Sequence, residues 1–308
     1  MSNYYGSSDD EESTRTLQVA CDLGVTLFDT ADYYGLGHNE QLVGRALAPH
    51  RGNVIIATKF GYLEGLRILG TPEYVREACE ASLRRLGTDV IDVYYQHRVD
   101  PHVPIEDTVG AMSELVAAGK VRHLGLCEVS AQTLRRASAV HPIAALQSEW
   151  SLWTRDLEPE VLGVARELGV GIVPYSPLGR GYFAGSVLPD TSFDEGDFRA
   201  RLPRFSGENL LANGGIVAGL RSLAGQWGCT AGQLALAWVL ARGSDVVPIP
   251  GTKRAGYLRE NVAAADVVLT PDQLASLESL VSEHGVHGAR YATASGYGET
   301  PPAGGSSR

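Results

Sequence analysis

Short apolar runs recur along this chain, each followed by a segment with helical spacing: VTLF (25–28), VIIAT (54–58), VIDVYY (90–95), VRHLGL (121–126), IAALQ (143–147), GIVPY (171–175) and DVVPI (245–249). That alternation is the pattern of βα units around a parallel sheet. The helix starts are well marked. Thr71, Pro72 and Glu73 supply a cap, a first-turn proline and an acid ahead of a helix that ends at Gly87, and Ser130 and Thr270 are further caps. Short connections and right-handed crossovers favour closing such units into an α/β (TIM-type) barrel, although an open doubly wound sheet uses similar parts. The dinucleotide fingerprint GxGxxG follows none of the strands; Gly35-Leu36-Gly37 is a loop fragment without the third glycine. The 308 residues suit a single barrel, for which ~250 are typical. Seven strands are counted where a closed barrel needs eight.

Composition narrows the function. A net charge of −10 leaves no basic stripe for nucleic acid or an anionic membrane. Cys21, Cys79, Cys127 and Cys229 form no CxxC pair, and no histidine pair has metal-ligand spacing, so neither a disulfide framework nor a metal site is expected. With no signal-like segment and no apolar run of ~18 residues, a cytoplasmic location is expected. One barrel domain over 1–292 and a disordered Gly/Pro/Ser-rich tail over 293–308 are expected. Residues 185–208 read as a long surface loop over the site.

The polar residues at the strand ends carry the chemistry. Asp29 follows VTLF, Lys59 follows VIIAT and His97 follows VIDVYYQ, with Tyr34 on the loop after the first strand. Taken alone, Asp29, Thr30 and Asp32 could be cap or turn residues. In a parallel barrel, however, these strand ends meet at one mouth, where active sites of this architecture lie. A tyrosine is a poor acid near neutrality, but a neighbouring lysine cation stabilises its phenolate, and Asp29 could hold that lysine charged. The other histidines have no such placement.

FDTADYYG, IIATKFG, YYQHRVD, GKVRHLGL, ALQSEWS, PYSPLGRG and VVPIPGTKR, in that order, resemble the aldo-keto reductase family from about Asp9 to about Leu280, in particular bacterial and plant members that carry YQHRVD and YSPLGRG. The resemblance implies an NADPH-dependent carbonyl reductase on a (β/α)8 barrel, with Asp29, Tyr34, Lys59 and His97 as its catalytic tetrad. It implies that Tyr175 stacks on the nicotinamide, that Gln147 and Cys127 meet the carboxamide, and that Ser176, Leu178, Arg180 and Gly181 lie along the pyrophosphate. Gly251, Thr252, Lys253, Arg254 and Tyr257 would meet the adenosine 2′-phosphate, and Glu260 and Asn261 the adenine.

Three departures from the family pattern stand out. Cys127 takes a position that is commonly serine, and a thiol is a weaker hydrogen-bond partner. Tyr257 stands where some branches have arginine or glutamine. The usual opening, a hairpin and a first strand ending near GxGCMG, does not appear ahead of VTLF, so an N-terminally truncated barrel lacking its first strand is expected. The alternative to a small-molecule carbonyl reductase is a nucleotide-binding regulatory subunit or inactive truncated relative; the family's channel β-subunits carry asparagine where this chain has His97. A Schiff-base lyase through Lys59 is opposed by Asp29, which would keep the amine protonated.

Overall fold

The computed structural model describes residues 8–185, 187, 191–194, 196–292 and 298–300. Helix α1 (Asp10–Asp22) leads into β1 (Leu27–Asp29), α2 (His38–Leu47), β2 (Ile55–Phe60), α3 (Pro72–Leu86), β3 (Ile91–Gln96) and α4 (Ile105–Ala117). Then follow β4 (Val121–Cys127), α5 (Ala131–Val140), β5 (Ile143–Glu149), α6 (Val161–Glu167) and β6 (Gly171–Tyr175). Helices α7 (Gly207–Trp227), α8 (Ala231–Leu240), α9 (Ala255–Ala263) and α10 (Pro271–His284) complete the order. The six strands form one curled sheet in sequential order, every neighbour parallel. The caps read from the sequence are in place: Thr71 accepts from the Tyr74 N–H, Ser130 from the Thr133 N–H, and Thr270 forms a capping box with Gln273. Gly87 ends α3 at φ 64°, the left-handed region that glycine enters without strain.

The seventh expected strand is only half a strand. Residues 245–249 run alongside β6, with Ile172 donating to the Asp245 carbonyl, Val247 to that of Ile172 and Ile249 to that of Pro174. Pro174 of β6 has no N–H to continue the donors that β6 turns toward this run, and the ladder does not extend into regular structure. Among the described residues, the outer edge of β1 has no strand partner, so the sheet is a (β/α)8 barrel left open between β1 and residues 245–249. The helical layer bridges that opening, because α1 packs on α9 and the Thr16 hydroxyl donates to the Lys253 carbonyl at 3.0 Å.

Strand alternation then sorts the side chains. Even-numbered residues such as Ile56, Tyr94, Leu124, Leu126, Leu146 and Ile172 face the helices in the large outer core. Odd-numbered residues face the barrel interior, where Ala57, Tyr95, Cys127, Ala145 and Val173 form a second cluster. The register pairs Asp29 with Ala57, Lys59 with Tyr95, Cys127 with Gln147 and Glu149 with Tyr175, so all the inward residues at the strand ends belong to one side of the sheet. Gly125 is the small member of that inner layer: a Cβ there would lie 2.3 Å from Cε1 of Tyr95, whose ring fills the space above it.

Residues 185–208 depart from the expected surface loop. Short 3-10 turns at Phe198–Arg201 and Pro203–Phe205 fold this segment inward, and Val187, Leu202, Arg204 and Phe205 are buried. Phe205 packs edge-on against Trp153 and Tyr182, so apolar residues scattered without periodicity still found a core face. Of the tail expected to be disordered, 293–297 and 301–308 lie outside the described residues. Gly298 pairs with Glu128 and Ser130 beside Val129, and Thr300 accepts from the Ile105 N–H and from Arg136. Gly125→Ala should force Tyr95 from its rotamer and cost ~1–3 kcal/mol, read as a lower urea midpoint with an unchanged slope.

Candidate active site

Each strand-end residue is delivered by the inward register. Asp29 is the last residue of β1 and Lys59 lies one from the end of β2, while His97 follows β3 directly, its N–H donating to the Phe60 carbonyl at 2.8 Å. Tyr34 comes from the turn after β1, which is fixed to the next strand by the Asp32 N–H on the Lys59 carbonyl at 3.0 Å. Lys59 is fully buried. Its ammonium donates to Asp29 Oδ1 and to the Thr30 carbonyl at 2.8 Å, and lies 3.4 Å from the Tyr34 hydroxyl. The Tyr34 ring stands edge-on to His97 at 5.8 Å, and Tyr62 does so from another side at 4.8 Å. The four side chains expected to converge therefore do converge.

The electrostatics follow from burial and pairing. Burial pulls the Lys59 pKa down, but Asp29, with smaller contributions from Tyr34 and Cys127, outweighs it and the ammonium is held charged above its usual range. Burial raises the Tyr34 pKa, Lys59 pulls it back and the net shift is upward, so the phenol keeps its proton near neutrality. Burial, Lys59 and Arg98 together press the His97 pKa well below 6.5, leaving a neutral imidazole whose Nδ1 is buried without a hydrogen-bond partner.

The residues expected around a cofactor fall into two groups. Gln147 is turned inward, its Nε2 donating to Asp29 Oδ2 at 2.8 Å. Cys127 sits in the inner cluster, its thiol pushed up to about 12 by burial. Tyr175 shares a hydroxyl–hydroxyl bond of 3.0 Å with Tyr291. Ser176 (φ 50°), Arg180 (φ 59°) and the glycines 179 and 181 turn the backbone sharply at the end of β6, and Leu178 is buried beneath them. The Arg180 guanidinium donates to Glu149 at 2.7 Å and to the Tyr291 hydroxyl at 3.1 Å.

The second group lies across the open edge. The first turn of α9 has no side-chain cap; Arg254 is its N-cap residue, and the Arg254 N–H donates to the Thr252 hydroxyl. Gly251 has open space where a side chain would stand. Tyr257 is half exposed beneath the Arg254 guanidinium, 6.0 Å from it. Burial, then the nearby Arg199, lowers the Lys253 pKa against the opposing pull of Asp197. An uncapped helix start beside crowded cations fits a phosphate. Glu260 is engaged elsewhere, accepting from the Thr230 hydroxyl at 2.6 Å, with half-buried Asn261 beside it.

Several residues at the mouth were not singled out in the sequence. Arg98, Glu128, Glu149 and Tyr291 come together only through the fold, although Arg98 is part of YQHRVD. Asp32, expected at most as a cap or turn residue, is a buried carboxyl whose Oδ1 has no partner. Its pKa is raised to about 7 by burial and by Glu40, which itself accepts from Thr58 at 2.6 Å and pairs with Arg85. Trp150 and Trp153 are core residues, Trp150 packing on Trp238 and Trp153 stacking on Tyr182. Tyr33 and Tyr62 stand at the mouth, 5.4 Å apart.

The parallel barrel thus gathers a Lys–Asp pair, a tyrosine and a neutral histidine at one end of its strands. The chain belongs to the aldo/keto reductase family, whose model it matches over residues 1–282. It is 48% identical over 287 residues to probable aldo-keto reductase 1 of Glycine max, covering 92% of this chain and 83% of that protein. Among solved structures it is similar to a glycerol dehydrogenase of Gluconobacter oxydans, with TM-score 0.85, 27% identity, and coverage of 95% of this chain and 92% of the other. An aldo/keto reductase of Klebsiella pneumoniae in complex with NADP and acetate matches with TM-score 0.73, 27% identity and coverage of 96% and 94%. Among the described residues no helix is long and apolar enough to cross a membrane, and no cluster of three or more metal-ligating side chains occurs.

Two measurements test this electrostatic picture. Asp29→Asn leaves the buried Lys59 ammonium uncompensated and should cost ~3–5 kcal/mol in urea denaturation, with Lys59→Met recovering part of the loss in the double variant. Asp32 carries the opposite sign. A carboxyl at 3.8 unfolded and about 7 folded binds its proton more tightly in the folded state, so it costs stability in full above pH 7 and progressively less towards pH 4. Asp32→Asn should therefore be more stable than the wild type at pH 8, and the advantage should vanish near pH 4.

Proposed function

We propose that the chain reduces an aldehyde or ketone to the alcohol at the expense of NADPH, with Tyr34 as general acid. The observation that carries this reading is the Lys59 ammonium reaching both Asp29 and the Tyr34 hydroxyl beside a neutral His97. When bound, NADPH supplies the hydride. Tyr34 holds a transferable proton where a carbonyl oxygen would lie against its hydroxyl. Lys59 lowers the cost of the phenolate left behind, and Asp29 fixes Lys59 in place and in charge. His97, being uncharged and next to the Tyr34 ring, orients the same oxygen without competing as an acid. Tyr175 provides a ring face at the end of β6, and the backbone turn over 176–181 with Arg180 provides N–H groups and a cation for the pyrophosphate. Lys253 and Arg254 at the start of α9 suit the 2′-phosphate, which favours NADPH over NADH. Support for a nicotinamide cofactor comes also from the NADP-bound relative of Klebsiella pneumoniae.

Tyr34→Phe should lower kcat for carbonyl reduction by ~10²–10⁴ while NADPH affinity, followed by fluorescence titration, stays within a few-fold. Undiminished turnover in that variant would remove Tyr34 from the chemistry. The double variant Lys253→Ala, Arg254→Ala should erase the preference for NADPH over NADH, and raising the salt concentration should weaken NADPH more than NADH in the wild type. Equal wild-type affinity for the two cofactors would contradict the phosphate assignment.

A further inference from the structure

The charges around the mouth do not cancel. Lys59 is matched by Asp29, Arg180 by Glu149 and Arg290 by Glu128, the last pair closed by two donors at 2.6 and 3.2 Å. Asp156 adds a long contact of 3.8 Å to Arg290 from a largely exposed position. Arg98 is left over. Its Nη1 donates to the carbonyl of the neighbouring His97 at 2.7 Å, and its Nη2 lies 3.4 Å from the Tyr175 hydroxyl. No carboxylate among the described residues is within ion-pair distance of it; Glu128 attracts it from further away but is already held by Arg290.

Placement makes this surplus charge useful. Arg98 follows the histidine at the end of β3, yet its guanidinium reaches the tip of Tyr175 at the end of β6, so it spans the mouth. It lies 5.8 Å from the Tyr62 ring, and that ring stands 4.8 Å from His97. Arg98 is half-buried rather than sealed in the core. A guanidinium that spends one donor on a backbone carbonyl and a weak one on a phenol keeps further N–H groups for a planar anion. Resting on the carbonyl-reductase reading above, we propose that Arg98 is a specificity-determining residue: with the Tyr62 and Tyr175 side chains it forms a subsite for a carboxylate on the carbonyl substrate. A carboxylate matches the planar fork of the Arg98 guanidinium, which can meet its two oxygens with parallel N–H groups.

The test compares two para-substituted benzaldehydes, one carrying a carboxylate and one its neutral methyl ester, 4-carboxybenzaldehyde and methyl 4-formylbenzoate, by NADPH oxidation. The wild type should favour the acid by about ten-fold or more in kcat/KM, mostly through KM. The ratio should shrink with added salt, fall to near one in Arg98→Met and survive in part in Arg98→Lys. Circular dichroism confirms that both variants are folded. Equal kcat/KM for acid and ester in the wild type, or a preference that persists in folded Arg98→Met, would overturn the subsite and leave the reductase reading standing. Failure to oxidise NADPH with either aldehyde would overturn the reductase reading and the subsite with it.

Discussion

The ion pair between Lys59 and Asp29 is the contact around which the rest of the site is arranged. A lysine with no exposed surface is sustained only because a carboxylate and a backbone carbonyl replace its water. That pairing needs β1 and β2 side by side with Asp29 opposite Ala57, two residues before the lysine. Once the ammonium is fixed there, its field sets the neighbours: it tempers the rise in the Tyr34 pKa and helps press His97 towards the neutral form. Asp29 in turn takes the Gln147 amide, so a residue from β5 is tied to the same point. One charge pair thereby links three strands of the sheet.

Much of the architecture was legible because strand alternation is rigid. Continuous apolar runs such as VIIAT and VIDVYY mark the strands, and the period of two then decides which face each residue takes. The register then carries Asp29, Lys59, Cys127, Gln147 and Tyr175 inward together, and His97 continues the same parity beyond β3. The failures have physical causes too. Residues 245–249 have the apolar character of a strand, but Pro174 leaves β6 one donor short toward them and, among the described residues, their other edge has no strand partner. Residues 185–208 lack any period, so nothing local announces that Leu202 and Phe205 bury themselves against Trp153 and Tyr182.

The site itself was legible in part. Residues at strand ends could be found from position alone, whereas Glu128, Glu149, Arg290 and Tyr291 acquire meaning only from long-range partners. Arg290 meets Glu128 across 162 residues of chain, a distance no local pattern encodes. Asp32 shows a subtler limit: the same residue type serves as a cap in many turns, and only its burial beside Glu40 makes it an unusual acid.

The bond from Tyr291 to Tyr175 and Arg180 gives the mouth a different mechanical character from the floor. Below, β1 to β6 are joined by a continuous backbone ladder, and opening it means breaking many hydrogen bonds at once. At the rim, Tyr291 is held to the end of β6 by side-chain contacts, and Gly298 and Thr300 are fastened beside β4 and α4 by only a few bonds. A segment held by a few side-chain and backbone bonds opens at lower free energy than a shared strand ladder, so a change at the rim need not disturb the pairing of the floor.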